Sequence, residues 1–114
     1  MTITLFWPIR VLIIPTTRLL FGATARSYWF FIVVRPDAIN DHALIEHELE
    51  HCRQAWRLPF LHILLYAMSS RYRRWAEVEA FRVQVAHGMR VEDARTALWD
   101  MYREDVSAEE LVVK

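Results

Sequence analysis

Chemistry in this chain concentrates in one stretch, His47-Glu48-Leu49-Glu50-His51, which sits in a run from Ile45 to Trp56 without Gly or Pro. In a helix, residues four apart stack one turn above the other, so the two imidazoles face the same way. They can then close on one metal ion at about 2.0–2.1 Å. Glu48 lies about 100° round the helix from His47, too far to be a third ligand but near enough to reach water beside the ion. These residue types at this spacing predict metal-assisted hydrolysis with Glu48 as general base. The competing reading is a solvated helix face carrying two His and three Glu.

His-Glu-x-x-His is the arrangement of zinc metallopeptidases. A catalytic zinc normally has three protein ligands and one open position, so a third ligand is required. His62, Glu77, Glu79 and His87 are the downstream candidates. One branch of zinc proteases takes a His six residues after the second, preceded by a Gly. Arg57 and Gln54 occupy those positions, which excludes that branch. On a third helix, Glu77 falls among Ala80, Phe81, Gln84 and Val85, whereas Glu79 falls beside Arg82 and Ala86. An ionised Glu on an inward arc is costly unless paired or bound to metal, which favours Glu77. A salt-bridged helix residue is the alternative for it. His62 lies in an apolar run and reads as a satisfied core histidine.

The elements that must position these residues follow from local patterning. Residues 27–35 (Ser-Tyr-Trp-Phe-Phe-Ile-Val-Val-Arg) are aromatic or β-branched through the middle and predict one strand, ended by Pro36. Asn40 or Asp41 can cap a metal-binding helix running to about Trp56. An exposed strand edge beside it could hold a peptide by backbone hydrogen bonds. Leu58-Pro59 stops that helix, and residues 60–68 predict a short buried core helix. Arg71 to Arg74 read as a solvated basic turn. Trp75 to His87 predict a helix closed by Gly88, and Val91 to about Tyr102 a fourth, with Val91, Ala94, Leu98 and Met101 or Tyr102 on one stripe. Ser107-Ala108-Glu109-Glu110 has a capping-box pattern.

At 114 residues the chain reads as one domain able to bury a core, with 54% apolar residues, five Trp, four Tyr and six Phe. Zero net charge argues against a nucleic-acid binder. The lone cysteine, Cys52, excludes an intramolecular disulfide and points about 100° away from His51, as a buried thiol. Residues 1–22 are apolar, but Pro8, Arg10, Pro15 and Arg18 divide them into pieces too short to span a bilayer. Short strands, or an apolar arm on a partner protein or membrane surface, are expected there. Ala23-Thr24-Ala25 resembles a signal-peptidase site, yet no basic residue precedes the first apolar run and arginines interrupt it. The expected location is therefore intracellular, in the cytoplasm or in a phage particle.

Over about residues 28–84 the chain resembles the gluzincin metallopeptidases, in the compact form found in bacterial and phage genomes. The likeness rests on an apolar strand, a turn, Ile45-Glu46-His47-Glu48-Leu49-Glu50-His51-Cys52-Arg53-Gln54, and the later Glu77-Val78-Glu79-Ala80-Phe81. The resemblance implies zinc held by His47, His51 and Glu77, with Glu48 as base and a peptide or protein as substrate. Glu77 followed by the small Ala80 matches the family register. Several members carry an Asp where this chain has Phe81, so Glu46, Glu50 or Asp41 would have to hold a ligand imidazole. Tyr72, His62 and His87 are candidates for stabilising an oxyanion. The expected architecture is α+β and zincin-like: a small, mainly antiparallel sheet, then three to four helices. Residues 1–22 form the arm or strands, 23–87 the metal-site core and 88–114 the C-terminal helices. Two other readings stand beside the peptidase. One is a non-catalytic assembly protein, such as a phage-particle component, that retains the metal site. The other is a membrane-associated protease drawing on residues 1–21 and 58–68.

Overall fold

The computed structural model describes residues 2–6, 9–17 and 24–112. The expectations for Pro8 and for the stretch from Arg18 to Ala23 lie outside the described residues. The fold is α+β. Four strands, β1 (Thr2–Phe6), β2 (Ile9–Pro15), β3 (Ala25–Tyr28) and β4 (Phe31–Val34), precede four helices: α1 (His42–Arg57), α2 (Leu61–Met68), α3 (Ser70–Ala86) and α4 (Val91–Tyr102). The sheet order is β1-β2-β4-β3. The outer ladders are antiparallel, while β2 and β4 pair in parallel, Leu12 facing Phe31 and Pro15 facing Val34. The expected antiparallel character holds at both edges and gives way in the centre.

The single strand expected over 27–35 is a hairpin instead. Trp29 and Phe30 turn the chain, with Trp29 at φ 51°. Strand propensity is overridden here by packing: the Trp29 ring meets Trp56 at 5.3 Å and Phe60 at 4.9 Å between centroids. Period-two alternation sends Val11, Ile13, Ile32 and Val34 to one face, against Ile45, Leu49 and Cys52 of α1. Cys52 is the buried thiol expected, and burial pushes its pKa up to about 12.

Asp41 caps α1 by accepting the Leu44 amide at 3.1 Å, and the helix ends at Arg57, with Leu58 as its C-cap before Pro59. Two expectations fail next. Most of α2 is not buried: of its residues only His62 is. Nor are Arg71 to Arg74 a turn; they lie inside α3, which starts early because Ser69 caps it through the Tyr72 amide at 3.1 Å. Arg73 donates to the Tyr66 and Ala67 carbonyls, both at 3.0 Å, occupying acceptors at the end of α2. Gly88 closes α3 at φ 113°, its amide bonding Val85 while Met89 bonds Gln84, a Schellman cap. On α4, Ala94 and Leu98 are buried and Tyr102 turns partly inward, leaving Met101 exposed. Ser107 and Glu110 form the expected reciprocal cap. A second core cluster joins Val78, Phe81, Ala94, Leu98, Val106 and Leu111. Among the described residues no helix is long and apolar enough to cross a membrane.

Candidate metal centre

Helix α1 presents different residues around its circumference. Ile45, Leu49 and Cys52 pack on the sheet, while His47, His51 and Gln54 lie about half a turn round and meet α3. Glu77 comes from α3, with its small neighbours Ala76 and Ala80 fully buried. Its Oε1 lies 3.5 Å from His47 Nε2 and 3.1 Å from His51 Nε2. One ligand atom from each of the three buried residues lies within 4.8 Å of the others. Two donors at about 2.1 Å from a tetrahedral ion stand roughly 3.4 Å apart, so the spacing and the two-nitrogen, one-oxygen chemistry both fit a metal such as zinc.

The surroundings fix the donors. Gln54 donates its amide to the Ala76 carbonyl at 3.0 Å, which turns its oxygen toward His51 Nδ1 at 3.1 Å. A hydrogen on Nδ1 leaves Nε2 of the neutral ring free to ligate. Tyr66 donates a short hydrogen bond to Glu77 Oε2, and Tyr102 lines the same cavity as that carboxylate. His47 is held by packing instead: Phe81 meets it edge-on at 4.4 Å, while its buried Nδ1 has no hydrogen-bond partner.

Electrostatics in the metal-free cluster follow from these contacts. Burial alone would lower the His51 pKa, but the Glu77 carboxylate, aided by Glu48 and Gln54, raises it to about 9. Burial would raise Glu77, and His51 with His47 holds it well below the usual carboxylate range. Tyr66 and Tyr102 are pushed upward, first by burial and then by Glu77. Glu48 is buried on α1, and its charge is felt at His51, Cys52 and Tyr102.

The other candidates go elsewhere. Glu79 pairs with Arg82 at 2.8 Å. His62 bonds the Tyr72 hydroxyl at 2.7 Å, a satisfied buried histidine that also occupies Tyr72. His87 bonds the Val83 carbonyl at the exposed end of α3. The carboxylates expected to steady an imidazole do not do so. Glu46 and Glu50 face Arg53 at 3.6 and 3.7 Å, and Asp41 caps α1. Gln54 takes that role because its position, three residues after His51, puts it on the same face. That spacing was readable in the sequence. Tyr66 and Tyr102 were not, since their directions depend on how α2 and α4 pack.

No protein-family model, curated protein or solved structure matches this chain.

Proposed function

We propose that the chain is a zinc-dependent peptide hydrolase in which His47, His51 and Glu77 hold the ion and Glu48 is the general base. One observation carries the reading: a single carboxylate oxygen of Glu77, 2% exposed, faces both imidazoles of the His-Glu-x-x-His stretch at 3.1 and 3.5 Å. The gluzincin likeness of that stretch and of Glu77-Val78-Glu79-Ala80 supports the same assignment.

A zinc ion held by these residues supplies Lewis acidity toward a carbonyl and acidifies water. The chain's own side chains do the rest. Gln54 sets the His51 tautomer, Phe81 wedges His47, and Tyr66 orients Glu77. Glu48 takes the proton of the attacking water and delivers it to the leaving amine nitrogen.

A non-catalytic assembly protein that retains the metal site is the second reading, in keeping with the aromatic surplus of the chain. Glu48 separates the two, because a purely structural site has no use for a non-ligating carboxylate there. Zinc-loaded parent and Glu48→Gln are incubated with a mixed peptide library and products are followed by mass spectrometry. Cleavage by the parent, lost in Glu48→Gln with metal content unchanged, is the expected result. No cleavage by the parent, or equal cleavage by both, contradicts the peptidase reading.

A further inference from the structure

The outer side of α2 and the hairpin tip form an apolar surface that the described fold leaves uncovered. Phe60 is 76% exposed, Met68 78%, Ile63 58% and Phe30 57%, with Leu61 and Leu64 about half exposed between them. The two parts are joined physically, because Trp29 at the hairpin turn packs against Phe60. Both turns hold an aromatic residue at positive φ, Trp29 at 51° and Phe60 at 66°. That conformation is unfavourable for a bulky side chain. Phe60 adopts it without being buried, so it presents an aromatic ring to the outside.

Charge decides what covers this surface. From His51 to Ala76 the chain has five arginines and no Asp, Glu or Lys; Arg53 and Arg74 pair with glutamates from outside that stretch, and Arg73 bonds the end of α2. Since the whole chain is neutral, the remainder is net acidic by the same amount. Arg57 and Arg71, at the helix ends flanking α2, are exposed. Arg71 makes no ion pair among the described residues, and Arg57 has only Glu50 at 4.0 Å. Apolar and aromatic side chains rimmed by guanidinium groups match the layering of an anionic lipid surface, with rings and aliphatic groups at the acyl boundary and cations at the headgroups. A second copy fits less well, because a two-fold contact sets the exposed Arg57 and Arg71 against those of the other copy. Eight residues of α2 are too few to span and suited to lying in the interface.

We infer that Phe30, Phe60, Leu61, Ile63, Leu64 and Met68, with Arg57 and Arg71, form a surface that docks the protein on anionic membranes. Docking needs neither zinc nor turnover, so it stands or falls separately from the hydrolase reading.

The test is co-sedimentation of the full chain with phosphatidylcholine vesicles, with and without about 30% phosphatidylglycerol, at low and high salt. Binding at least about tenfold tighter to the anionic vesicles, weakened by salt, is expected. Phe60→Ser with Ile63→Ser should reduce it by about tenfold or more. Arg71→Glu, which removes no apolar contact, should weaken binding to anionic vesicles alone. Trp99→Ser, at an exposed apolar site on α4, should bind as the parent does. No vesicle binding, equal binding to both vesicle types, or indifference to Arg71→Glu overturns the proposal. So does self-association in sedimentation equilibrium that the Phe60 and Ile63 changes abolish, which assigns the surface to a second copy instead.

Discussion

At the scale of single residues, the His51–Glu77 contact governs how the site responds to pH. His51 in the metal-free protein has its pKa raised to about 9 from 6.5, so its contribution to stability is complete below 6.5 and lost as pH rises through 9. Glu77 is depressed well below 4.5, so its contribution is present above 4.5 and lost as pH falls toward its folded value. Urea denaturation of the metal-free chain should therefore find this pair most stabilising between about 4.5 and 6.5. Metal must displace the proton on His51, so zinc affinity should climb about tenfold per pH unit until near pH 9. Competition with a chelator of known proton linkage measures that slope; a flat profile between pH 6 and 8 would contradict the contact. Gln54→Leu leaves His51 Nδ1 and the Ala76 carbonyl without each other's bridge. It should weaken zinc binding by about 10–100-fold without unfolding the protein, as read by chelator competition and circular dichroism. Glu77 was legible in the sequence because helical geometry put it on an inward arc. Tyr66 on its far oxygen and Tyr102 beside it were not, since nothing local to residues 66 or 102 says which way their rings turn.

At the scale of elements, legibility tracked local signals. Caps and breakers were readable: Asp41 starts α1, Pro59 follows its end, Gly88 closes α3, and Ser107 with Glu110 makes the last turn. What depended on distant partners was not. The aromatic run around Trp29 has every local mark of a continuous strand, and it turns because Trp56 and Phe60 accept the Trp29 ring. Residues 60–68 have the composition of a core helix, yet among them only His62 is buried. Arg73 reads as part of a solvated turn, and the structure instead gives it the carbonyls at the end of the preceding helix, α2. The Gly88 cap gives a clean test. A Cβ there meets nothing within 4 Å, so Gly88→Ala changes backbone strain alone. It should cost about 1–2 kcal/mol in urea denaturation, with zinc affinity unchanged. A neutral result would mean that α3 does not end in the left-handed conformation described.

At the scale of the molecule, the site lies where two cores meet. One is the sheet with α1, the other α3 with α4 and the C-terminal turn. The two histidines come from α1 and Glu77 from α3, so an ion held by the three would tie both together. Ligand binding stabilises the folded state by mass action, about 2.7 kcal/mol at a hundredfold excess over Kd. For a chain of this size that raises Tm by roughly 10 °C, which a chelator should reverse. A Tm indifferent to chelation would separate the metal from the fold.

The most direct test of the metal centre is zinc content per folded chain after dialysis, measured for the parent, His47→Ala, His51→Ala, Glu77→Ala, Glu79→Ala and Glu48→Gln. The ligand set His47, His51 and Glu77 predicts one zinc per chain in the parent, in Glu79→Ala and in Glu48→Gln, and loss of tight binding in the other three. Zinc retained by folded Glu77→Ala at the parent's level, or lost in Glu48→Gln, would contradict it.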